Sequence, residues 1–369
     1  MVLSQDNSLW VTGRNDFGQL GDGSTIDRKY FAKVISSDVE AMAAGDSHSM
    51  MLKQDGSVWA TGSNQYGQLG DGTTTNRSSF VEVLSSGVKA VAAGDSHSLV
   101  MSQNGSVWVT GSNLYGQLGD TLKTDRNRFV RVVSSGVTGI AAGSLHSMVL
   151  KQDGSVWATG ENTFGQLGDG RHSEDFVRMI SLRFMRVISS GARSMAAGRG
   201  HSMVLKQDGS VWAAGLNDYG QLGDGSITNR HSFVQVMSSD VKALAAGYMH
   251  SMVLKHDGSV WATGNYLFWS MDDRHNYVQV FSSGVKAVAA GGWHGMVLKQ
   301  DESVWATGSN DFGQLGDGSA NDSNVFVRIN SMWGILRRNH PGVSGFTAFV
   351  PPIAQSVESR SSNRTSQEP

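Results

Sequence analysis

A unit of about 49 residues recurs along this chain, and that period constrains the fold more than any other feature. It reads A-A-G-x-x-H-S, then M-V-L-K-Q-D-G-S-V-W-A-T-G, then N-x-[FY]-G-Q-L-G-D. Its tryptophans fall at Trp10, Trp59, Trp108, Trp157, Trp212, Trp261 and Trp305, with spacings of 49, 49, 49, 55, 49 and 44 residues. A fixed period of that size means one supersecondary unit packed on copies of itself, as in a propeller or solenoid. A chain of 369 residues would ordinarily suggest two or three domains, but repeats of this kind share one core.

Within one unit the strands are legible. Val88 to Gly94 is short, β-branched and alanine-rich (strand A), and His97 to Met101 is strand B. Asn104-Gly105 is a strong hairpin signal, because both residue types tolerate the left-handed backbone that a tight β-turn needs. Val107 to Thr110 is strand C, and a polar, glycine-rich loop runs to about Asn127. Arg128 to Val133 is strand D, and Ser134-Ser135-Gly136 turns into the next unit. Four short antiparallel strands per unit describe a propeller blade. Helix is disfavoured, since glycines interrupt every unit and the apolar residues come in short β-branched runs. A closed ring also hides the sheet edges that a solenoid leaves open.

Composition narrows function by exclusion. The net charge of -2 makes no electrostatic case for nucleic acid or a membrane surface. With 46 glycines and 4 prolines the chain is rich in tight turns without being a proline-rich disordered polymer. No cysteine is present, which removes disulfides, thiolate nucleophiles and Cys-ligated metal and fits a reducing compartment. No window reaches the roughly 18 uninterrupted apolar residues of a membrane helix, and residues 1–10 lack the basic and apolar regions of a signal peptide. A cytoplasmic or nuclear location is expected.

Seven Trp hairpins imply seven blades, but only six A-A-G-x-x-H segments exist, with histidines at His48, His97, His146, His201, His250 and His294, the first five followed by serine. The Trp10 blade therefore lacks strand A, and Met1 aligns with Met50, so the chain opens mid-unit, as a fragment or as a ring closed by its other end. Residues 1–330 are assigned to the propeller. Residues 331–350 hold the candidate closing strand, Val343 to Val350, and 351–369 are expected to be a disordered tail. The long fourth repeat carries an apparent tandem duplication of strand D, Phe176 to Ser181 and Phe184 to Ser189, read as a tolerated insertion.

The repeated residues read as scaffold. The tryptophans sit mid-strand between Val and Ala or Val and are expected to be the main apolar glue between blades. One histidine per blade fits structural hydrogen bonding better than six catalytic bases, and the six are too dispersed for a shared metal. The G-Q-L-G-D loops lack the following helix and Lys-Ser/Thr pair of a P-loop and the spaced acidic ligands of an EF-hand. They read as turns held by their own Gln and Asp side chains. No Ser-His-Asp constellation rises above the repeat, so neither catalytic residue, metal nor cofactor is expected.

The run A-A-G-x-x-H-S, D-G-x-V and N-x-[FY]-G-Q-L-G resembles the repeat of the regulator of chromosome condensation family over about residues 1–330. G-Q-L-G-D occurs six times, at Gly18, Gly67, Gly116, Gly165, Gly220 and Gly313. The resemblance implies an all-β, seven-bladed propeller of four-stranded antiparallel blades. It also implies a choice among functions: guanine-nucleotide exchange on a small GTPase, chromatin docking, ultraviolet-B sensing, or the substrate-binding part of a ubiquitin ligase. Fold alone does not choose.

Function is expected where the repeat varies. The A–B and C–D loops emerge together on one face, and the two residues between the fixed Gly and His change from blade to blade: Asp46-Ser47, Asp95-Ser96, Ser144-Leu145, Arg199-Gly200, Tyr248-Met249 and Gly292-Trp293. The sixth unit replaces G-Q-L-G-D with Phe268-Trp269-Ser270-Met271-Asp272-Asp273. Arg199, Tyr248, Met249, Trp269 and Trp293 are thus the expected partner-binding residues, since aromatic residues, Met and Arg dominate protein hot spots. The expected function is a monomeric, non-enzymatic scaffold for a protein partner. The alternative is an exchange factor for a small GTPase, although the family's protruding wedge is minimal here. The tryptophan cluster of the ultraviolet-B sensor is not reproduced, because only Trp293 sits in an A–B loop.

Overall fold

In the computed structural model, residues 1–171, 180–265 and 275–329 are described, and they form seven antiparallel sheets arranged as a closed β-propeller. Blade I holds β1 (Val2–Leu3), β2 (Leu9–Gly13) and β3 (Arg28–Ile35). Blade II holds β4 (Val39–Ala44), β5 (His48–Lys53), β6 (Val58–Gly62) and β7 (Arg77–Leu84), in the order β4-β5-β6-β7. Blades III to VII repeat that order over residues 88–133, 137–188, 192–237, 241–281 and 285–328. Among the described residues, blade I has three strands and lacks the innermost one. The closing strand and tail expected in residues 331–369 lie outside the described residues.

The hairpin reading holds in detail. Gly105 adopts φ 76° at the B–C turn, and the residues at the same turn of blades I and VII, Asn7 and Glu302, adopt φ 58° and 63°. In the long fourth repeat, strand D spans Ile180–Ile188, so the second copy of the duplication takes the blade position. Phe184 lies under Gly119 as Phe80 lies under Gly21 and Phe129 under Gly70. The first copy falls mostly in residues 172–179, outside the described residues.

Each seam between blades is made the same way. Strand B and the leucine of G-Q-L-G supply the deepest apolar residues, among them Met50, Leu52, Leu69, Leu99 and Leu118, all fully buried. The tryptophans are half-buried: Trp108 packs on the blade II cluster and Trp305 on that of blade VI. The indole of Trp59 donates to Ser57 Oγ (3.1 Å), and Lys53 Nζ lies 4.2 Å from its ring. Trp therefore seals the rim of each seam, whereas Leu and Met fill it, because the indole N–H needs a polar partner near the surface.

The same contacts close the ring. Thr61 Oγ1 donates to the Gly18 carbonyl across the blade I–II seam (2.8 Å), and Thr12 Oγ1 donates to Gly313 across the blade VII–I seam (2.8 Å). Val2, Trp10 and Phe31 of blade I pack with Leu298, Ala306 and Leu315 of blade VII. Closure thus rests on the repeated interface itself.

Candidate functional site

Strand A is innermost, so its last residues and the A–B loop ring a channel on the propeller axis, of about 640 Å³. Small residues make that channel, with Ala44, Ala93, Ala142, Ala197, Ala246 and Ala290 among its lining. Gly94, ending its A-A-G run, is forced by close approach: a methyl group there would overlap the Gly143 carbonyl of the next blade and the His97 ring. Five of the histidines behind these glycines are fully buried and His294 is half-buried, and His48, His97, His146 and His201 each meet the serine of the next blade through Nε2 at 2.8–2.9 Å. Ser98 spends its one proton on the Gln68 carbonyl (2.7 Å), so His48 Nε2 is the donor to Ser98. Burial depresses these imidazoles, His48 and His201 to about 4 and His97 to about 3, which keeps them neutral.

The loop framing the mouth is braced from inside. Fully buried Asn64 accepts from the Leu69 N–H (3.0 Å) and donates to Asp71 Oδ1 (3.1 Å) and the Thr75 carbonyl (3.1 Å). Gln68 Oε1 accepts from the Tyr66 N–H (3.0 Å), and Asp71 pairs with Arg77 (2.6 Å). Burial pushes the Asp71 carboxyl up, but hydrogen bonds from Thr73, Arg77 and Asn64 outweigh it and hold it below the ordinary range. The glycine-rich loop is a self-tied turn, and the asparagine column is its hub.

At the mouth, Tyr248 of blade VI reaches across the axis. Its hydroxyl lies 2.7 Å from Asp46 Oδ1 of blade II and 3.3 Å from Asp95 Oδ1 of blade III. Trp293 meets the Tyr248 ring edge-on, with centroids 5.6 Å apart and planes at 82°, and the Arg199 guanidinium lies 5.8 Å from the ring centroid. Burial first, then the Asp46 carboxylate, pushes Asp95 up, against the pull of Arg199. Burial and both carboxylates push the Tyr248 phenol up, so it stays protonated and donates.

Of the expected hot-spot residues, the structure brings Arg199, Tyr248 and Trp293 together. Tyr248 is a cross-channel strut rather than an exposed anchor, Met249 is half-buried, and Trp269 lies outside the described residues. A further column escaped the two-letter reading: the residue after the glycine that ends strand C, which is Arg14, Ser63, Ser112, Glu161, Leu216, Asn265 or Ser309. It varies as much as the A–B pair and sits beside it, since Ser63 N donates to the Ser47 carbonyl (2.8 Å). Glu161 is raised by burial, against hydrogen bonds from Thr163 and Gln166 and the pull of Arg199. The same blade-by-blade comparison would have found it.

Around the mouth the C–D loops raise a crown: Tyr66, Leu114, Tyr219 and Phe312 are 39%, 62%, 42% and 41% exposed. Among the described residues no helix is long and apolar enough to cross a membrane, and no group of three His, Cys, Asp or Glu is placed to hold a metal.

A closed seven-bladed ring built of this repeat defines an RCC1-type propeller. A model of the RCC1-like domain matches residues 8–270, and one of the regulator of chromosome condensation (RCC1) repeat matches residues 285–314. The chain belongs to the RCC1-like domain family. Among solved structures it is similar to human WBSCR16 (TM-score 0.78, 20% identity, 88% of this chain and 94% of that one). It is similar to yeast RCC1 (Prp20) solved with Kap60 (TM-score 0.77, 21% identity, 89% and 85%). Prp20p from Saccharomyces cerevisiae, described with its binding to Gsp1p and histones, matches with TM-score 0.75 and 22% identity over 87% and 85%. No curated protein sequence matches the chain.

Proposed function

We propose that this propeller is a non-enzymatic interaction module that engages a protein partner with its A–B/C–D loop face. The observation that carries this reading is the contrast between the two faces. The loop face exposes Tyr66, Leu114, Tyr219 and Phe312 around a mouth whose chemistry changes blade by blade. The opposite face repeats Lys-Gln-Asp-Gly turns almost unchanged. Exposed aromatic residues are enriched at protein-binding surfaces relative to the rest of a protein's exterior. Affinity purification from the native cell tests it. A Tyr66→Ser/Tyr219→Ser/Phe312→Ser variant is expected to lose the partner, whereas Gln54→Ala/Gln152→Ala on the opposite face retains it. Partner recovery unchanged by the first variant sinks the proposal.

A second reading is guanine-nucleotide exchange on a small GTPase, favoured by the likeness to Prp20p, whose described binding includes Gsp1p. Nucleotide release from purified small GTPases separates the two readings. Acceleration by catalytic amounts of the chain supports exchange, and stoichiometric binding without acceleration supports the scaffold.

A further inference from the structure

We infer that the channel mouth is a receptor for an alkylammonium or guanidinium group, presented by a lysine or arginine side chain of the partner. The inference rests on the loop-face reading and names what that face recognises. Three observations meet at one place.

The first is room: the axial cavity of about 640 Å³ opens at this mouth between walls of alanine, with space for an unbranched aliphatic stem. The second is a shortage of donors. Asp46 accepts from the neutral Ser47 hydroxyl (3.0 Å) and Asp95 faces that of Ser144, and beyond these one Tyr248 hydroxyl serves both carboxylates, at 2.7 Å from Asp46 and 3.3 Å from Asp95, with a single proton to give. An ammonium brings three donors and a guanidinium five, with the charge the carboxylates lack. The third is the surrounding charge. Asp46, Asp95, Asp311 and Glu161 face or flank the mouth against two cations, Arg14 and Arg199; the Met1 amino group also lines the cavity, and burial lowers it to about 6, which leaves it mostly neutral at pH 7. Arg14 is already paired to Asp16 at 2.6 Å, and Arg199 lies over the Tyr248 ring. The mouth is therefore net acidic in a protein whose total charge is only -2, and it draws cations by focusing that field. The Tyr248–Trp293 pair adds aromatic surface beside the carboxylates, favourable to a cation that loses its water there.

Tyr248 is then the resident competitor. Its hydroxyl holds the carboxylates until a better donor arrives, and the incoming cation takes its place.

Titration calorimetry on the full chain tests this with four probes: butylammonium, spermidine, the peptide Gly-Gly-Lys-Gly-Gly with blocked ends, and its glutamate counterpart. The lysine peptide is expected to bind, weakening at least tenfold in Asp46→Asn/Asp95→Asn and with rising salt, while the glutamate peptide does not bind. Tyr248→Phe, which removes the competing hydroxyl and keeps the ring, is expected to tighten binding threefold or more. A clear advantage of the lysine peptide over butylammonium and spermidine upholds the inference, whereas small cations binding as tightly as the peptide assign the site to free amines and overturn the partner's side chain as its ligand. Equal binding of the two peptides, no binding of any cation at millimolar concentration, or indifference to the Asn pair in variants of unchanged melting temperature overturns it. A Tyr66→Ser/Tyr219→Ser variant, which leaves the cavity-lining Phe312 in place, keeps the mouth intact, so retained lysine-peptide binding with lost partner capture, or the reverse, separates this inference from the proposal above.

Discussion

At the scale of single residues, the repeat offers internal controls. Glu302 occupies a turn position where five other blades place glycine, and it holds φ 63°. A left-handed backbone costs a side-chain-bearing residue about 1–2 kcal/mol relative to glycine. Its compensation is a half-exposed ion pair with Lys286 at 3.1 Å, a contact worth well under about 1 kcal/mol. Glu302→Gly is therefore expected to stabilise the protein by about 0.5–1 kcal/mol, read as a raised midpoint in urea unfolding; a lowered midpoint refutes the argument. Asn64→Ala should do the opposite. It strands the Leu69 N–H and removes the hub of the C–D loop, leaving buried polar groups that cost about 1–3 kcal/mol each. Hydrogen exchange confined to residues 64–77 would locate that damage.

At the scale of strands and loops, two departures from the repeat coincide. The relay from histidine to serine to glutamine carbonyl links blades II to VI, ending with Ser251 Oγ on the Gln221 carbonyl (2.7 Å). Blade VI has no G-Q-L-G, and blade VII has Gly295 where the relay needs serine, so His250 Nε2 is buried with no partner. Gly295→Ser is expected to return an acceptor to that N–H and raise stability by about 1 kcal/mol. Its proper control is the same change in His250→Ala, where the gain should vanish. Ala214 likewise stands where Thr61, Thr110 and Thr159 bond a neighbouring blade. Ala214→Thr, aimed at the Gly165 carbonyl, is expected to add a similar increment.

At the scale of the whole molecule, five buried histidines and the half-buried His294 make the ring sensitive to acid. Their folded pKa values, about 3 to 4, lie below the ordinary 6.5. Between those limits the unfolded chain takes up protons that the folded chain refuses, so stability falls as pH drops from about 6.5 towards 4. Each pKa unit is worth about 1.4 kcal/mol per group. The melting temperature is expected to fall steeply across that window; a flat profile from pH 7 to 4.5 would mean that the histidines are not buried neutral. The stability contributed by pair-braced carboxylates such as Asp71 is present throughout that window and is lost only at lower pH, because their folded pKa values lie under the ordinary carboxylate range.

Much of this was determined along the chain. Strand order, the B–C turns, the three strands that blade I shows among the described residues and the recurring histidine column all follow from local periodicity, because each blade is built from residues near in sequence. The tryptophans were legible as interface residues, but their half-burial was not: it depends on how far a neighbouring blade overlaps the rim. Legible too were the letters that vary at the loop face. What only the tertiary structure decided is how those letters meet. Tyr248 lies 202 residues from Asp46 and 153 from Asp95, and no pattern within a unit relates them. Closing the ring brings them within hydrogen-bonding distance, because a channel narrow enough to be lined by alanine lets one phenol span it.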